Sequence, residues 1–217
     1  MSLIRFPDPE YAAVEGIVVI GGELSAANLL AAYRRGIFPW PIEGWPLPWF
    51  CPEVRAILDF KELHVARRLQ RLKKRAPFQL TIDKDFGAVI RACAESVRAH
   101  EDGTWITPEM IRAYTELHAA GHAHSVEAWE DERLVGGLYG VDAGGAFAGE
   151  SMFFLKPNAS KLALLHLIEH LQTRGLDWLD IQVMTPHMQV FGAKEISRRD
   201  FLKRLDKSLK SGLKLFD

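Results

Sequence analysis

The segment of residues 134–183 constrains the fold more than any other part of the chain. Its first half predicts two glycine-rich strands, residues 134–141 and 146–154, joined by a tight turn. An amphipathic helix follows at residues 158–173, and a further strand at residues 178–183. The order hairpin, helix, strand, preceded by interspersed helices and strands, is typical of a mixed α/β or α+β fold.

The last strand of this segment carries polar residues in an otherwise apolar pattern. Because side chains alternate along a strand, Asp180 and Gln182 share one face, whereas Leu179 and Ile181 point to the other. Glu150 likewise interrupts the apolar run of the second hairpin strand. Two interpretations are open at this point: these are satisfied hydrogen-bonding groups at strand ends, or they are members of one functional site.

The composition predicts a soluble, cytoplasmic protein without a membrane partner. A chain of 217 residues with 48% hydrophobic content can bury a sizeable core. It contains no run of about 18 apolar residues, and its N-terminus lacks the segments of a secretory signal. Cys51 and Cys93 are the only cysteines, which excludes a disulfide framework and a cysteine-rich zinc site.

The first 54 residues differ in composition from the remainder, because they hold seven of the 11 prolines. Within them, Ser25 is expected to cap a helix at residues 26–35. The aromatic residues that follow, including Trp40 and Trp49, are stiffened by prolines and show no helical or strand period. They either pack a small domain against a larger one or form a stacking surface for a ring, a base or an apolar side chain.

A net charge of −1 conceals a local concentration of cations. The helix predicted at residues 63–74 and its end carry six of them within nine positions: Arg67, Arg68, Arg71, Lys73, Lys74 and Arg75. Such a run is usually a solvated helix face. Six cations nevertheless exceed what solubility requires, and phosphate contacts are the commonest use of such a cluster.

Two histidine patterns resemble metal sites without meeting their requirements. His166, Glu169 and His170 match H-x-x-E-H, but they form the polar stripe of an amphipathic helix, which we interpret as a solvated face. Residues 118–124 contain three histidines, yet no nearby carboxylate completes a ligand set. No metal is therefore predicted.

The antiparallel strands, the helix and the next strand resemble the acyl-CoA N-acyltransferase fold. In those acetyltransferases the loop before the helix carries a glycine-containing signature for the pyrophosphate of coenzyme A. The corresponding loop here, residues 155–161, reads LKPNASK and contains no glycine. Coenzyme A is therefore not predicted as the donor.

Several short blocks, in order along residues 6 to 204, resemble the leucyl/phenylalanyl-tRNA protein transferases. They are GGELS at 21–25, Tyr33, RGIFPW at 35–40, GTWIT at 103–107, GHAHS at 121–125, GESMF at 149–153, NASK at 158–161 and DIQV at 180–183. The resemblance is specific because many independent blocks agree.

The resemblance implies a bacterial cytoplasmic enzyme of α+β class. Its expected parts are a small N-terminal α/β domain, residues 1–54, and an acyl-CoA N-acyltransferase-like (GNAT-like) catalytic domain, residues 55–217. Leu-tRNA and Phe-tRNA would be the donors, and proteins with N-terminal Arg or Lys the acceptors. The product would enter N-end-rule degradation. No metal or cofactor is implied, since the charged tRNA is itself the activated donor.

The resemblance also assigns roles to residues. It makes Asp180 and Gln182 the catalytic pair, and we hypothesise that the Gln182 oxygen orients the amine while Asp180 fixes Gln182. The implied substrate-binding residues are Trp40 and Trp105 near the terminal adenosine, Leu138, Phe147 and Leu167 around the transferred side chain, and Glu150 near the cationic acceptor. Leu167 stands where some members carry phenylalanine. The basic segment, residues 67–75, becomes the expected tRNA contact.

Two alternatives from other classes are retained. A coenzyme-A-dependent N-acetyltransferase would suit the fold, although the glycine-free loop argues against it. A non-catalytic RNA-binding protein would need only the basic helix and the tryptophans, and it would leave Asp180, Gln182 and Glu150 without a role. Leucine transfer from leucyl-tRNA to an arginine-initiated peptide discriminates among the three.

Overall fold

Two β-sheets with helices packed on them make up the described part of the chain, which is residues 3–13, 15–96 and 105–216 of a computed structural model. The strands are β1 (Ile17–Ile20), β2 (Phe38–Pro39), β3 (Pro48–Phe50), β4 (Val54–Asp59), β5 (Gln79–Ile82), β6 (Ala123–Glu130), β7 (Arg133–Asp142), β8 (Phe147–Phe154), β9 (Trp178–Gln182) and β10 (Lys194–Ser197). The smaller sheet has the order β1-β3-β2, and the larger one β10-β4-β9-β8-β7-β6-β5.

The helices lie between these strands in the sequence. They are α1 (Ala26–Tyr33), α2 (Arg67–Arg75), α3 (Phe86–Glu95), α4 (Pro108–Ala119), α5 (Ala159–Thr173), α6 (Pro186–Val190) and α7 (Arg198–Lys210), with short 3-10 turns at Pro9–Tyr11 and Phe60–Glu62. Among these described helices, none combines the length and the apolar character that crossing a bilayer needs. The mixed α/β class predicted from the sequence is confirmed.

Two apolar cores lie on opposite faces of the large sheet, and successive side chains along its strands point alternately into one core and the other. Tyr139 of β7 belongs to the core shared with α1, α3 and α4, whereas its neighbour Leu138 belongs to the core beneath α5. Burying each large apolar side chain contributes about 1.5–3 kcal/mol. The N-terminal residues complete the first core, since Tyr33 and Trp49 are buried in it.

The neighbouring strands β8 and β9 are parallel and diverge after a single paired position, Ala148 with Asp180. Each strand also carries a bulge at the point of divergence. On β8 the extra residue is Glu150, because Tyr139 pairs with Ser151 and Gly140 with Gly149. Bulges re-aim side chains and are frequent beside functional sites. The two strands therefore open a gap in the middle of the sheet, with polar residues along it.

Several predicted elements are confirmed, and the basic helix is shorter than predicted. It begins at Arg67 instead of residue 63, because Phe60–Glu62 form a 3-10 turn capped by Asp59 and the backbone of Leu63 and Ala66 is extended. The short strand β10 was not predicted. The sequence also predicts an amphipathic helix at residues 85–97 and a polar loop at residues 100–105; residue 97 of that helix and residues 100–104 of that loop lie outside the described residues.

A buried ion pair joins the neighbouring strands β4 and β9. The Arg55 Nε and Nη2 atoms donate to the two carboxylate oxygens of Asp180 at 2.8 and 2.7 Å. Arg55 is 1% exposed and Asp180 5%. The guanidinium also lies over the rings of Phe38 and Phe201, 4.7 and 4.3 Å from their centroids. Both charges thus leave water together, and each depends on the other.

We predict that Arg55→Met lowers the free energy of unfolding by about 3–5 kcal/mol, because it leaves the Asp180 carboxylate buried without its cation. Urea denaturation of the variant and the parent protein measures the difference. Lys210→Met is the matched control: its pair with Asp206 is more than half exposed, so its cost should be within about 0.5 kcal/mol. Equal losses in the two variants would contradict the prediction.

Candidate functional site

The end of β9 is held in an unusual backbone conformation by Asp180. Gln182 has a φ of 60°, in the left-handed region that side chains other than glycine rarely occupy. It is the central residue of a three-residue turn closed by a 2.7 Å bond from the Val183 N–H to the Ile181 carbonyl. Its own N–H donates to Asp180 Oδ1 at 2.9 Å. Backbone strain of this kind persists where the surroundings enforce it, and it clusters at functional sites.

The Gln182 side chain continues the polar chain to Glu150. Its Nε2 atom donates to Glu150 Oε1, and the Tyr114 hydroxyl donates to Glu150 Oε2 at 3.3 Å. The hydroxyls of Tyr114 and Tyr33 are 2.6 Å apart. Asp180, Gln182 and Glu150, which the sequence singled out, are therefore in one hydrogen-bonded network. Asp180 fixes Gln182 through the backbone and not through the side-chain amide.

Sequence reasoning gave no role to the two tyrosines of this network, although Tyr33 is among the residues that carry the family resemblance. Tyr33 of α1 and Tyr114 of α4 are 3% and 0% exposed, and both fall on the apolar faces of their helices. Such positions are typical of an ordinary core. A usable signal is that a tyrosine buried in a core normally needs a partner for its hydroxyl.

Burial raises the pKa of Glu150 from its ordinary 4.5 to about 7. The nearby Asp180 carboxylate raises it further, whereas hydrogen bonds from Tyr33, Gln182 and Tyr114 stabilise the anion and oppose the rise. Burial is also the main reason why the pKa values of Tyr33 and Tyr114 lie well above their usual range. Both phenols therefore stay protonated near neutral pH and act as hydrogen-bond donors.

An apolar cavity of about 320 Å³ lies in the gap between β8 and β9. Glu150, Leu138 and Leu167, to which the resemblance assigns substrate binding, are on its wall. Further apolar lining comes from residues that were not predicted: Met152, Leu164, Leu179, Ile181 and Met188. Phe147 does not line the cavity. It is 1% exposed and packs against Phe216, with 5.5 Å between ring centroids.

Trp40 and Trp105 form a stacked pair. Their ring centroids are 5.3 Å apart and the ring planes differ by 9°. Trp40 is held by a bond from its backbone N–H to the Pro48 carbonyl, and Trp105 lies just before α4. Both are partly buried against the core that contains Tyr33 and Tyr114. The stacked pair brings together two residues that are distant in the sequence.

A second, basic cavity of about 760 Å³ lies between α2, α6 and the start of α5. Of the six cations predicted to contact tRNA, Arg68, Arg71 and Arg75 line this cavity and the other three do not. Lys73 instead pairs with Glu169 of α5. Lys161, which was not predicted, adds a cation from α5.

His187 of α6 lines both cavities and was also missed by sequence reasoning. Burial lowers the pKa of its imidazole, with a further contribution from Lys161. Its Nε2 atom is buried and finds no hydrogen-bond partner among the described residues. A neutral imidazole therefore separates the apolar cavity from the basic one.

Histidines from both patterns that resembled metal sites in the sequence make hydrogen bonds to protein groups. His170 Nε2 lies 2.7 Å from the Leu215 carbonyl oxygen, and His124 Nδ1 lies 2.7 Å from Asp83 Oδ2. Within residues 3–13, 15–96 and 105–216, no three His, Cys, Asp or Glu side chains gather into a group that could hold a metal ion.

The raised pKa of Glu150 predicts a pH-dependent stability. Between pH 4.5 and 7 the folded protein binds more protons than the unfolded chain, so this carboxyl lowers the free energy of unfolding as pH rises. Glu150→Gln removes the ionisation and should gain stability relative to the parent, up to about 3 kcal/mol at pH 8 and almost nothing at pH 4.5. Denaturation at both pH values tests this, and a gain that is independent of pH would contradict it.

Comparisons with known proteins agree over nearly the whole chain. Two family models match: "Leucyl/phenylalanyl-tRNA protein transferase" over residues 57–206 and its "N-terminal domain" over residues 22–53. Curated proteins named leucyl/phenylalanyl-tRNA–protein transferase include one from Anaeromyxobacter sp. (strain Fw109-5), 48% identical over 95% of this chain and 88% of its own. Another, from Pectobacterium carotovorum subsp. carotovorum (strain PC1), is 49% identical over 93% and 86%.

Among solved structures, L-PGS from Bacillus licheniformis matches with a TM-score of 0.40 and 12% identity, over 78% of this chain and 58% of that one. This likeness is too distant to add to the assignment. The family models and the sequence relatives are sufficient by themselves. The chain belongs to the leucyl/phenylalanyl-tRNA protein transferase family, and it is an aminoacyltransferase.

Proposed function

We propose that this protein transfers leucine or phenylalanine from Leu-tRNA or Phe-tRNA to the N-terminal Arg or Lys of acceptor proteins in the cytoplasm, marking them for N-end-rule degradation. The observation that carries the proposal is the hydrogen-bonded network of Asp180, Gln182 and Glu150, in which Glu150 lies on the wall of an apolar cavity. It places polar groups that can handle an amine beside a space for an apolar side chain. Family membership favours the tRNA donor over coenzyme A.

The proposed reaction needs orientation more than activation, because the ester of a charged tRNA is already reactive. Well-oriented reactants gain on the order of 7–11 kcal/mol. The Gln182 amide nitrogen donates to Glu150, so its oxygen is the atom that accepts a hydrogen bond from the attacking amine. The ion pair between Arg55 and Asp180 holds this residue in position through the backbone. Neither a metal nor a cofactor is required.

The apolar cavity is the proposed site for the transferred side chain. Its volume of about 320 Å³ and its wall of leucine and methionine side chains suit leucine and phenylalanine. A difference of one methylene in such a pocket discriminates by only about 1–3 kcal/mol. Leu167 on the wall therefore affects the balance between the two amino acids.

The proposed acceptor site is beside Glu150. Its carboxylate, ionised in part near neutral pH, is the negative group on the wall of the apolar cavity. A protein that begins with Arg or Lys brings an α-ammonium and a cationic side chain, both attracted to this carboxylate in a partly desolvated site.

The stacked tryptophans and the basic cavity are the proposed contacts to the tRNA. Trp40 and Trp105 already lie parallel, and a terminal adenine can extend or enter such a stack, with about 1–3 kcal/mol per stacked base. Arg68, Arg71 and Arg75 face one cavity from successive turns of α2, an arrangement suited to a phosphodiester backbone.

We also propose the acyl-CoA N-acyltransferase-like fold for residues 55–217, with residues 1–54 as the smaller N-terminal domain. Three antiparallel strands, β6 to β8, precede α5, and β9 then lies parallel to β8. This order supports the resemblance noted in the sequence. The separate family models for residues 22–53 and 57–206 support the boundary.

We predict that the protein adds leucine to an arginine-initiated peptide from leucyl-tRNA, and that Gln182→Asn lowers kcat by about 10- to 100-fold, which is the loss expected for a hydrogen bond to a group that becomes charged. Asparagine tolerates the left-handed backbone of residue 182, so the turn survives while the amide is drawn back. Donor affinity should be unchanged. A variant with parental kcat would exclude Gln182 from the reaction.

We predict that Arg71→Glu weakens binding of the charged tRNA and flattens its salt dependence, by about 0.7–0.9 in log–log slope for each phosphate that the variant no longer neutralises. Fluorescence anisotropy over a salt series measures both quantities. Lys74→Glu makes the same charge change on the same helix outside the basic cavity. If the two variants bind alike, the cavity is not the tRNA contact.

A further inference from the structure

The strongest unassigned feature is the pair of buried hydroxyls that connects α1 and α4 to Glu150. We propose that Glu150 accepts the proton of the acceptor's α-ammonium, and that Tyr33 and Tyr114 are positioning residues that hold its carboxylate ionised and in place for this step. The inference rests on the proposed aminoacyl transfer and names the group that removes the proton.

Each oxygen of the Glu150 carboxylate accepts a hydrogen bond. Gln182 of β9 donates to Oε1, and Tyr114 of α4 donates to Oε2 at 3.3 Å. The hydroxyl of Tyr33, 2.6 Å from that of Tyr114, supports the second donor from α1. Glu150 itself stays on the cavity wall beside Gly149, at the bulge of β8. The carboxylate is therefore both fixed and open to a ligand.

The titratable and charged groups around Glu150 come from six elements of the fold. They are Tyr33 (α1), Arg55 (β4), Tyr114 (α4), Tyr139 (β7), Asp180 (β9) and His187 (α6). Arg55 neutralises Asp180. Among these described groups, Glu150 is the one that both faces the apolar cavity and changes its charge near pH 7.

The protonation chemistry balances without an external reagent. The α-ammonium has an ordinary pKa near 8, and burial raises the pKa of Glu150 to about 7, so transfer between them costs little. An N–H bond breaks and an O–H bond forms on Glu150. The amine lone pair then attacks the ester carbonyl carbon, the second amine proton passes to the ribose oxygen that leaves, and Glu150 returns its proton to water.

The two tyrosines keep the carboxylate ionised and in place, because Tyr114 donates to Glu150 and Tyr33 holds the Tyr114 hydroxyl. Each is buried, so each hydroxyl must have a partner. Their high pKa values keep them neutral and exclude them as bases. Without the Tyr114 hydroxyl, the anion of Glu150 loses a donor and its pKa rises. Glu150 would then be protonated, and unable to accept the proton, up to a higher pH.

The test is a pH series of leucine transfer from leucyl-tRNA to one arginine-initiated peptide, from pH 6 to 9, at saturating acceptor. Glu150→Gln should show its largest loss of kcat, about tenfold, near pH 6.5, where an amine of ordinary pKa is mostly protonated, and almost none at pH 9, where the amine is already neutral. Tyr114→Phe should move the acid limb of the pH profile, which is the rise of kcat with pH, to a higher pH by about one unit. Tyr33→Phe should move it in the same direction by less.

The exposed Tyr11, 84% accessible, provides the control variant Tyr11→Phe, whose limb should coincide with that of the parent. Because all variants use the same acceptor peptide, a shift of the acid limb in one variant reports the pKa of a group on the enzyme and not that of the acceptor amine. A Glu150→Gln deficit that is the same at every pH would overturn the proton-accepting role, and unmoved limbs in both tyrosine variants would overturn theirs. Absence of transfer by the parent at any pH would instead refute the proposed function.

Discussion

The buried pair of Arg55 and Asp180 is the interaction on which the rest of the site depends. It joins the neighbouring strands β4 and β9 of the large sheet, where each charge is desolvated and tolerable only because of the other. The same carboxylate accepts the N–H of Gln182 and so holds the strained turn that ends the strand. A structural contact and a functional conformation thus depend on one side chain, and a substitution at Asp180 affects both.

Glu150 illustrates the opposite balance between stability and chemistry. Its burial makes the ionised form costly, and the hydrogen bonds from Gln182 and Tyr114 recover only part of that cost. A carboxyl with a pKa about 7 weakens the fold at neutral pH. The same value is suited to exchanging a proton with an amine. The position is explained better by chemistry than by stability.

The sequence predicted the hairpin, the helix α5 and the strand β9, because hydrophobic period and glycine punctuation determine such elements locally. It also singled out Asp180, Gln182 and Glu150, since polar residues inside apolar strands are conspicuous. It gave no role to Tyr33 or Tyr114, and it did not predict the bulge at residue 150. Their significance comes from contacts between distant segments, and a tyrosine on the apolar face of a helix carries no local sign of what its hydroxyl meets.

The network draws its members from widely separated parts of the chain: Tyr33 from the first helix, Arg55 from the fourth strand, Gln182 from the ninth. No stretch of the sequence short of residue 182 contains all of them. A polypeptide still emerging from the ribosome therefore lacks the complete network until residue 182 has been made. A complete centre therefore cannot precede the synthesis of β9.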